Sequence, residues 1–437
     1  MTRNRLTLPA AALLSLVCSE GQRQPGTEQV PQIRYVKGFE QTTLQPPVRA
    51  IHSVPAAKPL TPAIPSGPPG YPEPYANSGR NSRESQPLPA GNWRVRWRVP
   101  IQSDTGANWV FQQGNRILVR AIEWLLLDPD GRIISQGVSG GGPILLDAPN
   151  DLFYRMLPTS FFAAARLSDA RQRFLFQPAF GDAFTRTLFV RQGRRILIAA
   201  QERALDPDDL HRPSRSLIES LTLPATIETT GLGLLKSSLP GPELHIGSPH
   251  MLAAATGDSI VAAVPNCLVV ADWSMNVRHA LTGTFDPAWM SLDEAGRAYL
   301  VVRSGERQSL WLVTQEGERL YVFDLPGSVP PVSGPPIVAH DHTAYLLAGQ
   351  QIVSVAPDGK LKWLKAASGR LAGAIIAAGD DLVVSEGDSI AAWDGLGQRR
   401  LLATIPGEQL ISPPVLASNG DLLVAARSSV FCLSRQK

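Results

Sequence analysis

One pattern recurs along this chain: an apolar strand of alternating character, a turn of two or three residues, then a basic or apolar strand that often carries Trp. The clearest copies are Ile352 to Gly359 running into Lys360 to Trp363, Leu310 to Gly317, Trp124 to Gly131 and Ile390 to Gly397. Weaker copies start at Leu268 and Val430. Starts at 268, 310, 352, 390 and 430 step by 42, 42, 38 and 40 residues, the spacing of a four-stranded propeller blade. A period of this length excludes most other all-β architectures, because each repeat must bury its faces against its neighbours.

The interval from 124 to 268 is too long for one blade and reads as holding two more. Leu152 to Leu157, Phe161 to Arg166 and Arg173 to Phe176 supply strands for one. Thr187 to Val190, Arg195 to Ala200, Leu217 to Leu223 and Ala225 to Thr229 supply the other, widened by the polar insert Glu202 to Arg215. The expected fold is therefore an all-β, eight-bladed propeller of four-stranded antiparallel blades, with seven blades as the alternative. The last blade lacks a fourth strand, since the sequence ends soon after Val430 to Leu433. Asn92 to Val99 alternates with period two and fits that place, with Trp97 falling where Trp363 falls in its own blade. Closure by an N-terminal strand would leave no long exposed sheet edge.

Composition agrees with this reading. A chain that is 43% apolar and 18% charged can bury a large core, and 38 Pro with 37 Gly leave little room for long helices. Turn pairs such as Asp358-Gly359, Asp130-Gly131 and Asn419-Gly420 supply the positive φ that tight hairpins need.

Three regions follow: 1–18, 19–91 and 92–437. Arg3 and Arg5 precede an apolar run from Leu6 to Val17, the length of a signal-peptide core and too short for a membrane-spanning helix. Ser15 to Cys18 resembles a lipobox with Cys18 as the lipidation candidate, although Val17 stands where that motif has a small residue. An uncleaved apolar start is the plainer alternative. Residues 19–91 hold fourteen prolines and few aliphatic clusters, so they read as a disordered linker; from Lys58 to Pro89 the chain would be extended and stiff. It would space the propeller from a membrane or offer a docking strip. Residues 92–437 are the propeller.

The proline-rich strand entries Gly334 to Val338 and Ser412 to Leu416, the Asp-Gly turns and the Trp-bearing strands together resemble the PQQ-like (quinoprotein-type) β-propeller repeat. The resemblance spans Trp93 to Leu433 and is clearest from Pro335 onward. It implies eight blades and one of two kinds of protein: quinoprotein dehydrogenases, or non-enzymatic members among which are outer-membrane-assembly lipoproteins. The dehydrogenases carry a vicinal cysteine pair beside the cofactor, and this sequence has no adjacent cysteines. No cofactor residue is carried over, and the resemblance favours the non-enzymatic branch.

The remaining candidates each have a plain structural reading. His340-Asp341-His342 could hold a metal weakly, but reads better as a polar turn. The insert from Asp206 to His211 could form a cation site, but reads better as a solvated loop. Asp128 to Gly131 lacks the rest of a calcium loop and reads as a hairpin. Gly137 to Gly141 spells G-x-S-x-G around Ser139, yet no helix is expected after it, as a nucleophile elbow would require. Cys267 and Cys432 lie in apolar strand contexts, four blade steps apart, and read as small core residues. The net charge of +3, from 41 Lys and Arg against 38 Asp and Glu, gives no reason to expect nucleic-acid binding. Arg94, Arg96 and Arg98 form one stripe that could meet an acidic partner or lipid head groups, or simply face solvent.

The functional expectation is an exported, non-catalytic propeller with no metal or cofactor, anchored through Cys18. It would serve as a protein-interaction scaffold for envelope proteins in the periplasm, outer membrane or cell surface of a bacterium. Its contacts are expected on the loops Glu202 to Arg215 and Gly231 to His250. The alternative is a propeller enzyme or ligand-binding protein that uses its central channel, quinoprotein-like or carbohydrate-active.

Overall fold

The computed structural model describes residues 83–102, 109–121, 123–138, 144–147, 151–156, 162–168, 172–176 and 252–435. It also describes the strands Arg34–Tyr35, Gly70–Tyr71, Phe184–Gln192, Arg195–Glu202, Ser216–Thr222, Gly233–Leu234 and Glu243–Ile246. Every regular element among the described residues is a β-strand, and the strands fall into eight sheets. In chain order, the first strands of these sheets are Trp109–Gln113, Ile144–Asp147, Phe184–Gln192, Leu252–Thr256, Asp286–Leu292, Ile337–Val338, Leu371–Ala378 and Val415–Leu416. Each is followed by antiparallel neighbours, and the class is the all-β propeller that the repeat implies.

First strands of neighbouring sheets lie against one another, as the inner strands of a propeller do. Leu252–Thr256 lies against Asp286–Leu292, Trp109–Gln113 against Ile144–Asp147, and Ile337–Val338 against Leu371–Ala378. Val415–Leu416 of sheet eight comes against Trp109–Gln113 of sheet one. The last sheet takes its outer strand from far away in sequence: Trp93–Pro100 pairs antiparallel with Ser429–Arg435, setting Trp97 opposite Cys432.

Packing between sheets follows from strand periodicity. In Ala344–Ala348, Ala344, Leu346 and Ala348 join a core with Tyr299, Val301 and Leu310 of sheet five. Tyr345 and Leu347 point the other way, into a core with Ile376, Leu382 and Val384 of sheet seven. All five residues are buried, so a strand that alternates between two neighbours reads as continuously apolar. Each buried Leu or Val contributes roughly 1.5–3 kcal/mol relative to exposure. Outer strands have only one covered face: in Trp93–Pro100, Trp93 and Val99 are buried and Trp97 half-buried, while the four remaining non-Pro residues, Val95 at the register shift among them, are exposed. At the seam, Val110, Ile117 and Val119 of sheet one share a single core with Val383 of sheet seven and with Val415, Leu423 and Val430 of sheet eight.

The outer rims are joined by a second device. Trp97 lies on Gly131 and Trp363 on Gly397, in each case an outer strand of one sheet reaching the last turn of the next. A Cβ on Gly131 would come 2.7 Å from the Trp97 indole, and one on Gly397 would come 2.9 Å from that of Trp363. Both glycines have positive φ, 79° and 75°. The indole Nε1 of Trp97 donates to the Pro129 carbonyl at 2.9 Å and that of Trp363 to the Gly395 carbonyl at 3.2 Å. Tyr321 occupies the same place over Gly359.

Two features depart from the sequence expectation. In sheet three the strand paired with Ser216–Thr222 is Glu243–Ile246, with Ile218 opposite Leu244; Ala225 to Thr229, expected there, lies outside the described residues. The stretch read as a linker contributes strands: Arg34–Tyr35 beside Glu243–Ile246, Gly70–Tyr71 beside Trp109–Gln113, and Arg83–Pro87 beside Leu371–Ala378.

Gly397→Ala should lower stability by about 2–3 kcal/mol, from backbone strain of about 1–2 kcal/mol plus overlap with the indole. Gly407→Ala is the control, because Gly407 has φ 78° but a Cβ there would meet nothing within 4 Å, so only the strain remains. Denaturant midpoints for the two variants test this, and equal losses would show that the ring contact adds nothing.

Candidate functional site

The turns joining first to second strands and third to fourth strands lie on one face of the sheets, and this face gathers most of the titratable side chains the sequence singled out. His340, Asp341 and His342 form the turn between Ile337–Val338 and Ala344–Ala348. It is closed by Ala339 N donating to Thr343 O at 2.8 Å and His342 N donating to Ala339 O at 3.0 Å, with His342 at φ 65°. Asp341 caps this turn, accepting from Thr343 N at 2.8 Å and Thr343 Oγ1 at 2.9 Å.

The two histidines reach in opposite directions. His340 approaches sheet seven, with its backbone N at 2.9 Å and its Nδ1 at 3.0 Å from Asp380 Oδ1. His342 approaches sheet five, its Nδ1 2.9 Å from Arg297 Nη2 and 3.6 Å from Asp293 Oδ2. The motif therefore ties three successive sheets together and does not converge on one ion. Asp293 is fully buried, with Arg297 Nη2 at 2.6 Å and Arg297 N donating to its Oδ1 at 3.0 Å. Burial alone would lower the Arg297 guanidinium, but Asp293, with Tyr299 and Tyr321, holds it above its ordinary value.

The arginine stripe is also engaged within the fold. Arg96 bridges Asp421 at 3.0 Å and Asp130, joining sheet eight to the turn of sheet one. Arg98 donates to Glu408 at 2.6 Å and Ser429 Oγ at 2.7 Å, and its guanidinium lies over the Phe431 ring. Arg94 is exposed. Similar pairs link outer strands to first turns elsewhere: Arg400 with Asp381 at 3.5 Å, and Lys362 with Asp341 at 3.8 Å. Burial raises the Asp381 carboxyl, opposed by Arg400. Asp380 reads in the sequence only as part of a Gly379-Asp380 turn, and Asp421, Glu408 and Asp293 were not singled out; only their position in Asp- or Glu-bearing turns could have flagged them.

Asp128 to Gly131 is a hairpin, with Asp128 Oδ1 accepting from Asp130 N and Arg132 N, each at 2.9 Å. Cys267 and Cys432 are free and buried, in the third strands of sheets four and eight. Burial pushes the Cys267 thiol up to about 12; burial, then Asp421, raises that of Cys432. A cavity of about 50 Å³ opens beside Asp421 and Gln112 at the seam. Cys18, Ser139, the Asp206 to His211 segment and the Glu202 to Arg215 insert, apart from Glu202 itself, lie outside the described residues. So does the Gly231 to His250 loop apart from its two short strands.

The outer surface carries a different pattern. Val95, Ile133, Ile134, Val277, Val322, Leu361 and Leu401, all on outer strands, are exposed, and Leu396 at the last turn of sheet seven is 74% exposed. Cations flank several of them: Arg94 and Arg96 beside Val95, Arg278 beside Val277, Lys360 and Lys362 beside Leu361, Arg400 beside Leu401.

No family model matches the sequence, and no curated protein does so either. Solved structures do resemble the fold. BamB from Moraxella catarrhalis aligns over 78% of this chain and 99% of its own, at 12% identity and a TM-score of 0.51. A europium-containing methanol dehydrogenase aligns over 84% and 91%, at 10% identity and 0.57. The computationally designed Ika8 protein aligns over 79% and 99%, at 12% identity and 0.55. The first two are PQQ-like β-propellers, so the resemblance drawn from the repeat holds for the fold.

Asp293→Ala should cost about 2–3 kcal/mol by urea denaturation, toward the low end for a broken ion pair because Arg297 keeps part of its side chain in solvent. A loss below about 0.5 kcal/mol, the size of a neutral surface change, would show that the tie contributes nothing to stability. With Cys18 replaced by Ser, the folded protein should show no fast reaction with a disulfide reagent at pH 8, since both thiols stay protonated and buried. Two thiols should appear on denaturation.

Proposed function

We propose that this chain is an exported propeller, lipid-anchored at Cys18, that acts as a non-catalytic interaction scaffold at the envelope of a bacterium. The observation that carries the reading is the amphipathic rim. On the outer strands of sheets four, six, seven and eight an exposed aliphatic side chain stands next in sequence to a Lys or Arg, the two projecting to opposite sides of the strand. Scattered apolar residues on a surface are ordinary, whereas the same arrangement on successive strands suits a partner with a mixed apolar and acidic surface. The loops Glu202 to Arg215 and Gly231 to His250 would add variable contacts on a rigid frame. The fold shared with BamB is compatible with this role.

The fold shared with methanol dehydrogenase supports a second reading, a ligand or enzyme site in the central channel. Absorbance of the purified protein for a bound quinone, with a dye-linked alcohol oxidation assay, separates the two. A positive result in both would replace the scaffold reading.

Co-purification from the native envelope should retain a specific partner that is lost from a Leu361→Glu, Leu396→Glu, Leu401→Glu variant of unchanged melting temperature. Undiminished recovery would exclude the rim between sheets six and seven, and the same experiment with each loop shortened assigns or excludes the loops. The mass of the mature N-terminus tests export: a diacylglyceryl-modified Cys18 is expected, and an intact Met1 or Thr2 would overturn both anchoring and cleavage.

A further inference from the structure

The stretch before the closing strand has a place in the ring. Arg83–Pro87 runs parallel to Leu371–Ala378, with Arg83 opposite Ile376 and Pro87 opposite Ala378; the register shifts between these two pairs, so Glu84 to Gln86 bulge from the ladder. Because Leu371–Ala378 is the first strand of sheet seven, the added strand lies on the axial edge of that sheet. Gly70–Tyr71 lies on the axial edge of sheet one, antiparallel to Trp109–Gln113, with Gly70 opposite Gln113. First strands all run the same way along the axis, so the two added strands run in opposite senses. They flank sheet eight, whose own first strand is only two residues long.

The connection out of the ring is well defined. Leu88 packs against the core shared by sheets seven, eight and one. Pro89 sits beside Gly420, the first turn of sheet eight. Arg435 Nη1 donates to the Ala90 carbonyl at 3.4 Å, and the Arg435 side chain covers Gly91. The chain therefore leaves the axis at the end of sheet seven, crosses one face of sheet eight from inside to outside, and enters the closing strand at Trp93. Each contact along the way belongs to the turn or strand end that such a path must pass.

We propose that the axial edges of sheets one and seven are strand-docking sites occupied in cis by this chain's own proline-rich segment, so that residues 70–71 and 83–87 line the central channel. The chemistry is that of strand addition. A first strand otherwise leaves a row of unpaired N–H and C=O groups facing the channel, and an extended segment pairs with part of that row, at two positions on each sheet. Pro87, which has no N–H to offer, falls at the end of its strand, where a missing donor is tolerated. The segment from 19 to 91 is then held at Arg34–Tyr35, Gly70–Tyr71 and Arg83–Pro87 and is not one free tether, and any channel ligand has to share the axis with its second half. The docking is independent of the scaffold reading, since a plugged channel is compatible with any partner on the rim.

Hydrogen exchange on the full chain tests the docking. At least one amide among Glu84, Ser85 and Gln86 should exchange at least about tenfold more slowly than in a synthetic peptide of residues 80–90, as expected for an edge strand that pairs on one side. Trypsin should likewise cleave after Arg83 more slowly in the protein than in the peptide. In a Ser85→Pro, Gln86→Pro variant, which restricts the backbone between the two paired positions and removes whichever of these N–H groups faces the sheet, exchange in Leu371–Ala378 should accelerate by about tenfold while sheet four is unchanged. Peptide-like exchange at 84–86 in the unmodified chain would overturn the proposal, whatever the variant does; so would unaltered exchange of Leu371–Ala378 in a folded variant.

Discussion

The contact on which the outer half of this ring depends is an aromatic ring lying on a glycine. Axial strands of neighbouring sheets touch directly, but sheets that radiate from an axis diverge toward their outer strands, and something must span the widening gap. Trp97, Trp363 and Tyr321 do so by reaching from an outer strand to the last turn of the next sheet. The receiving turn needs a residue with no Cβ for two reasons at once. The ring occupies the space, and the backbone is left-handed there. The indole N–H, which would be costly to bury unpaired, finds a carbonyl two residues before the glycine. One geometry thus meets packing, backbone and polar requirements together.

That geometry also explains why a strand from the other end of the sequence can complete sheet eight. Trp97 stands opposite Cys432 and Trp363 opposite Ser354, the same position in two sheets, so Trp93–Pro100 is a normal outer strand in everything but its connectivity. Its charged residues follow. Arg96 meets Asp421 and Arg98 meets Glu408, pairs 325 and 310 residues apart, and these fix the register of a strand that no hairpin holds. An alternating strand slipped by one residue would turn Trp97 outward and bring arginines against the core, so charge and apolar pattern act on the same degree of freedom.

Much of this was legible in the sequence because it is local. Asp-Gly turns report positive φ, a Trp such as Trp363, four residues after Gly359, reports the outer strand, and their period reports the sheets. The closing strand was readable because its alternation could serve no other sheet. What escaped was long-range or weakly patterned. Glu243–Ile246 holds only four residues and follows a Gly- and Pro-bearing loop, so its pairing with Ser216–Thr222 is decided by sheet three and not by its own preference. Asp293 and Asp380 look like ordinary turn acids until the ring brings His342 and His340 to them. Prolines in 19–91 signal a chain that forms no core, but they do not forbid a few residues from completing someone else's sheet edge.

The histidine motif shows how the same local chemistry acquires a different meaning from its frame. Two histidines separated by one residue would share a ligand only if their rings converged, and in an extended strand they would at least lie on one face. Here the intervening Asp341 closes a tight turn and His342 adopts a left-handed backbone, which sends the rings apart. Each then finds a carboxylate or guanidinium on a different neighbouring sheet. Because every first turn sits between two such neighbours, a polar residue there is more readily used for joining sheets than for binding a solute. By contrast, an outer strand has no neighbouring sheet on its open face, and the aliphatic side chains it displays there can meet a partner even where the adjacent cations are paired within the fold, as Arg400 is with Asp381 and Lys362 with Asp341. This asymmetry between turns that look sideways and strands that look outward is why the rim, with Leu361, Leu396 and Leu401 beside their cations, is the part of the described surface best suited to recognition.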